Sequence, residues 1–150
     1  PLGSFTNHFR SKERFTLAVL EHYVARLDQV MLATLGDASG SPADRLDAYF
    51  DAIERGLAEQ DWNVGCLIPD LATEAPAHGE VLRDALAQVL ERQTNVFAAV
   101  LRDLKDLHDA DDLAAVLLAA WHGTLLRMKV ERTADPVARF RRTLRRLLPA

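Results

Sequence analysis

The sequence predicts an all-α fold on three observations. Apolar residues recur at helical spacing along most of the chain. Runs of β-branched residues are few, and helix punctuation, drawn from 7 Gly and 6 Pro in 150 residues, recurs clearly. At 49% hydrophobic, a chain of 150 residues is long enough for one well-buried domain.

The elements follow in order. Residues 3–13 read as the meeting of two short helices. Gly3 and Ser4 put little bulk at a helix N-terminus that can press against a phosphate backbone, and Phe5 and Phe9, four apart, give that helix an apolar stripe. His8, Arg10, Lys12 and Arg14 then surround one acid, Glu13. Ser11 caps a long helix running to about Leu35, with Phe15, Val19, Tyr23, Leu27 and Val30 at helical spacing. Residues 36–41, with two Gly and two Ser, break it. Ser41, Pro42 and Asp44 give a capping hydroxyl, a first-turn proline and an acid, and Leu46, Tyr49, Phe50, Ile53 and Leu57 turn inward from the helix they start. Residues 61–65 interrupt the pattern. A short helix is expected from Cys66 to Glu74, ended by residues 76–79, and a long amphipathic one from about Glu80 to Leu107.

Between Leu113 and Val130 apolar residues fill nearly every turn on all sides, and such a helix must be covered all round. Either it is central to a monomer, or its outer side faces a second copy. Asp135 and Pro136 are expected to cap the last helix, whose stripe is Val137, Phe140, Leu144, Leu147 and Leu148. Two such helices from each subunit make a four-helix, isologous interface, with Leu113, Val116, Leu117, Phe140, Leu144 and Leu147 as its candidates. The last helix also carries Arg139, Arg141, Arg142, Arg145 and Arg146. Cations near a helix C-terminus suit the macrodipole and cover a solvated face, and aromatic interleaving for stacking bases is absent.

A net charge of -4 excludes nucleic-acid binding over the whole surface, yet residues 10–14 carry three basic groups against one acidic, so any DNA contact is local. The sequence shows no run of about 18 apolar residues and no signal-peptide pattern, so cytoplasm is the expected location. One cysteine, Cys66, leaves no intrachain disulfide. Dinucleotide fingerprints, phosphate loops, paired cysteines and metal-spaced histidines are missing, and no cofactor, metal or catalytic residue is expected.

The run Gly3-Ser4-Phe5-Thr6-Asn7-His8-Phe9-Arg10-Ser11-Lys12-Glu13 resembles the end of the helix-turn-helix in the tetracycline-repressor (TetR) family of transcription regulators, with Thr6 where that family usually has Tyr. Residues 65–74, reading Gly-Cys-Leu-Ile-Pro-Asp-Leu-Ala-Thr-Glu, look like the Gly-Cys-Leu segment of a TetR subgroup, and residues 123–130 resemble its penultimate helix. The resemblance implies a TetR-like helical ligand-binding domain over residues 11–150, preceded in residues 1–10 by the recognition helix of an incomplete helix-turn-helix whose first two helices lie outside this sequence. The Pro1-Leu2-Gly3-Ser4 start is read as native entry to that helix rather than a cleavage scar. It further implies a ligand-responsive, homodimeric regulator with repression as the expected output, partnered by operator DNA and a small-molecule inducer. Gly3, Ser4, Thr6, Asn7 and His8 are then the DNA-contact candidates, and Lys12 a phosphate contact.

The same resemblance puts a ligand among the central helices. Phe50, Ile53, Trp62, Cys66, Leu67, Asp70, Phe97, Leu101, Trp121, His122, Leu125 and Lys129 are the candidates by face, with Asp70, His122 and Lys129 as the polar groups that orient a ligand. The aromatics fill cores first. Cys66 has two readings, a small packing hydrophobe or a reactive thiol at a helix N-terminus, its pKa lowered further wherever Lys129 approaches. On the second reading Cys66 and Lys129 sense an electrophile or oxidant. Two other classes stay open: a dimeric helical binding module that never touches DNA, and a thiol-dependent enzyme built on Cys66.

Overall fold

The computed structural model describes residues 11–105 and 107–148, apart from the side chains of residues 76–78. The DNA-contact candidates Gly3, Ser4, Thr6, Asn7 and His8 lie outside the described residues, whereas Lys12 is the exposed first residue of a helix. Among the described residues six helices form and no strand: α1 (Lys12–Thr34), α2 (Pro42–Ala58), α3 (Leu67–His78), α4 (Glu80–Arg102), α5 (Ala110–Glu131) and α6 (Asp135–Leu147).

Local chemistry sets most boundaries. Ser11 sits extended, and its hydroxyl accepts from the Arg14 amide at 3.2 Å, satisfying one orphan N–H of α1. Ser41 does the same for Asp44 at 3.2 Å, with Pro42 in the first turn of α2. At the far end of α1, Arg45 reaches back to the Leu35 carbonyl through Nε at 2.7 Å and to Asp103 through a 2.9 Å ion pair, tying the ends of α1 and α4 to the start of α2.

Three boundaries differ from expectation. Helix α3 continues through Pro76 to His78 and yields only at Gly79, whose φ of 90 is glycine territory. The missing proline N–H costs one bond near the helix end, which does not stop the helix. Helix α4 ends at Arg102 rather than near Leu107, because Asp103 and the acids after it oppose the negative end of the helix dipole; the Asp103 amide turns back to Val100. Helix α6 begins at Asp135 itself, with Ala134 as cap and no side-chain capping bond.

Helix α4 is the hub, packed against α1, α2, α3 and α5. Its Leu82, Leu86, Val89, Phe97, Val100 and Leu101 are buried. Around Phe97 an aromatic cluster closes the centre: Phe50 stands 4.9 Å from Trp121 and 5.2 Å from Phe140, and Tyr49 meets Phe97 edge to face at 5.1 Å between centroids. Each such pair adds about 0.5–1.5 kcal/mol beyond its burial.

Helix α5 is long and apolar enough to cross a membrane by length and composition, which the sequence reading did not anticipate. Its inner side, Ala114, Leu117, Leu118, Trp121, Leu125 and Met128, is buried between α4 and α6. Its outer side leaves Val116 64% and Val130 82% exposed. Of the six interface candidates, Val116 and Leu147 are exposed, Leu113 and Phe140 half-buried, and Leu117 and Leu144 belong to the chain's own core.

The arginines of α6 correct a second expectation. Arg141 does not cover a solvated face: its side chain is 12% exposed and reaches Asp47 at 2.9 Å, Glu54 at 3.0 Å and Asp51, all on α2. Arg145 joins the same Asp47 at 3.1 Å.

Candidate ligand-binding site

A cavity of about 590 Å³, open to solvent on one side, runs along the flank of α1 between α2 and the chain entering α3; Leu27 and Leu57 are buried at its base, while Val19, His22, Arg26, Gly56, Glu59, Gln60 and Val64 are exposed along its rim. That volume is within the roughly 300–1,000 Å³ of small-molecule sites. Its walls are mostly aliphatic: Val19, Leu27 and Val30 from α1, Ala52, Ile53 and Leu57 from α2, and Val64 and Leu67 beyond. His22, Tyr23, Arg26, Glu59 and Gln60 supply the polar groups. A second, smaller groove of about 380 Å³ lies between α1 and α4, crossed by the Arg92–Asp28 ion pair at 3.3 Å.

The turn that delivers the floor of the cavity is unusual. Asp61 and Trp62 are both left-handed, with φ of 50 and 58, a conformation non-glycine residues adopt at a cost of about 1–2 kcal/mol each. The Trp62 amide bonds the Leu57 carbonyl at 3.1 Å, and its ring packs on the core. The chain then extends through Gly65 to Cys66, the N-cap of α3. A Cβ at Gly65 would come within 3.1 Å of Lys129 Cδ, so the glycine lets the Lys129 stem lie across the start of α3.

Cys66 is buried behind Tyr23, whose hydroxyl donates to Sγ at 3.2 Å, while the Ile68 amide also bonds the sulfur. Burial pushes the thiol above its ordinary pKa, outweighing the hydrogen bonds that pull it down, and Asp70 pushes the same way as burial. Burial and the neighbouring thiol push the Tyr23 phenol far above its ordinary range. The expected lowering of the Cys66 pKa by Lys129 is therefore not what the geometry gives. Lys129 Nζ pairs with Asp70 Oδ2 at 2.7 Å, so its charge is spent on α3's first-turn acid.

The twelve ligand candidates separate into four groups. Ile53 and Leu67 line the cavity. Cys66, Asp70 and Lys129 form the polar cluster beside it. Phe50, Phe97, Leu101, Trp121 and Leu125 are in the packed core, and Trp62 and His122 are half-buried, with burial lowering the His122 pKa. Sequence reasoning missed Tyr23, which lay inside an ordinary apolar stripe, and Gly56, whose place within a helical pattern was the available signal. Among the described residues no cluster of metal-ligating side chains occurs.

Comparison with known proteins adds to this geometry. Residues 42–144 match the family model described as Tetracyclin repressor-like, C-terminal domain. The chain is 37% identical to the HTH-type transcriptional repressor DhaR of Mycobacterium sp. (strain GP1), over 93% of this chain and 72% of that protein. It is 34% identical to the transcriptional regulator AcuR of Cereibacter sphaeroides, over 97% and 69% respectively. The crystal structure of a regulatory protein TetR from Rhodobacter sphaeroides superposes with a TM-score of 0.93 at 34% identity, covering 99% of this chain and 82% of that one.

Proposed function

This chain belongs to the TetR family of ligand-responsive transcriptional regulators, which bind operator DNA as dimers, and from that premise we propose that it is a repressor released from DNA when a small molecule enters the cavity between α1 and α2. One observation carries the reading: the cavity lies along α1, the helix that follows residues 1–10. Those residues are assigned to the end of the helix-turn-helix and residues 11–150 to ligand binding and dimerisation. Gly3, Ser4, Thr6, Asn7 and His8 contact DNA on this assignment, with Lys12 on a phosphate.

Occupancy acts as a population shift. Arg45 fixes the Leu35 end of α1, and the Tyr23–Cys66 hydrogen bond holds its middle to α3. A ligand wedged against α2 disturbs the middle while the far end stays tied, so the Ser11 end swings and the two recognition helices change their spacing. The dimer face is the exposed outer side of α5, where Val116, Leu126 and Val130 stand, continued by Leu147 of α6.

Cys66 serves as a packing and hydrogen-bonding residue in this reading, since a buried, neutral thiol is a poor nucleophile. The protein works as a cytoplasmic regulator and turns nothing over. A bacterial reporter under its operator tests the site. The full-length protein is expected to release the reporter with at least one compound of a small-molecule panel, and Ala52→Trp, which fills the cavity, to be released permanently. Equal responses from the two proteins would place the ligand elsewhere.

A further inference from the structure

We infer that the cavity takes a small aliphatic carboxylic acid, with the carboxylate held by Arg26 and the length of the tail set by Gly56; this rests on the reading of that cavity as the ligand site. The tail end follows from what is missing. Ala52 and Gly56 are four apart on α2, hence on one helix face, and both line the cavity. Their small size leaves the α2 backbone nearly bare there. A glycine within a helix is destabilising relative to alanine, so it calls for a reason. Packing supplies none: a Cβ built at Gly56 meets no atom within 4 Å. Gly56 is exposed, so the free space is the open side of the cavity, and a side chain there would narrow it. Across the gap stand Leu27 and Val30 of α1, apolar partners for a hydrocarbon tail.

The head follows from charge. His22 and Arg26, one turn apart on α1, present two basic groups to the same cavity. Among the described residues no carboxylate forms an ion pair with Arg26. The lining holds one acid, Glu59, at the C-cap of α2. His22 and Arg26 are exposed at the rim, where water already solvates them; what suits Arg26 to a carboxylate is its place beside an aliphatic groove and its two parallel N–H donors, a geometry no neutral head reproduces.

Titration calorimetry with butyrate, hexanoate and octanoate, each beside the alcohol of equal length, tests both ends. Acids are expected to bind at least about tenfold tighter than their alcohols, the scale of one charge-assisted hydrogen bond. Arg26→Gln removes that difference. Gly56→Ala folds with a raised melting temperature, and Gly56→Leu moves the preference to a shorter acid. Failure of any acid to bind overturns the inference. Alcohols binding as tightly as acids, with Gly56→Leu excluding both, overturn the acid while leaving the cavity as the ligand site. Acids binding Gly56→Leu unchanged in affinity and length preference would place them outside the cavity and overturn both.

Discussion

Replacing Arg141 by Met should cost far more than removing a surface cation. Arg141 is 12% exposed and faces Asp47, Asp51 and Glu54, whose side chains are 41%, 55% and 30% exposed. A fully exposed pair contributes about 0–1 kcal/mol, while breaking a fully buried one costs about 3–5 kcal/mol. Here the cation is buried and its partners reach water, which places the loss near 2 kcal/mol, or roughly 4–8 °C in melting temperature for a domain of this size. Arg141→Lys keeps the charge but loses the planar fork, and should lie between the two. The pH dependence has a definite sign. Burial raises the Asp47 pKa, but hydrogen bonds from Arg141 and Arg145 outweigh it and hold the carboxyl below its ordinary range. A depressed carboxylate stabilises the fold above the unfolded value, about 3.9, and loses that contribution as pH falls through the folded value. Urea melts from pH 7 to pH 3 should therefore show a shallower acid limb for Arg141→Met than for the parent. A loss under about 0.5 kcal/mol with an unchanged acid limb would refute the argument, because it would put the arginine in the exposed class.

Other expectations follow from the same structure. Iodoacetamide at pH 8 should alkylate Cys66 at least about tenfold more slowly in the folded protein than in urea, since burial both blocks the sulfur and raises its pKa; equal rates would mean an accessible thiolate. Tyr23→Phe should accelerate that reaction by removing the ring hydroxyl that bonds Sγ, and mass spectrometry reads both. Val116→Glu with Val130→Glu places charges on the outer face of α5 without touching the core, so the melting profile of the monomer should persist while sedimentation shows dimer lost; an intact dimer would put the interface elsewhere. Phe97→Ala empties the centre of the aromatic cluster and should cost about 3–5 kcal/mol in chemical denaturation.

Much of the fold was legible because helix ends are local chemistry. Ser11 and the Ser41-Pro42 pair announced α1 and α2, and a cap needs only a few neighbouring residues. The end of α4 was misread because the apolar pattern persisted past Arg102 and the opposing acids weighed more. The candidate site was less legible. A cavity is made by side chains that are not there: Ala52 and Gly56 line it without drawing attention, while of the aromatics that did, Phe50 packs on both Phe97 and Trp121 in the core. Distant pairings were also invisible: nothing local says that Lys129 meets Asp70 rather than Cys66, or that Arg141 crosses to α2.

The most direct test measures operator affinity. An operator duplex selected from random DNA by the full-length protein would be titrated, by fluorescence polarisation, with that protein and with its Gly56→Trp variant, whose indole fills the cavity beside α1. The two are expected to differ at least about tenfold in dissociation constant, about 1.4 kcal/mol, with the filled protein weaker as though permanently induced. Equal affinities in two equally folded dimers would contradict the claim that the space between α1 and α2 controls DNA binding.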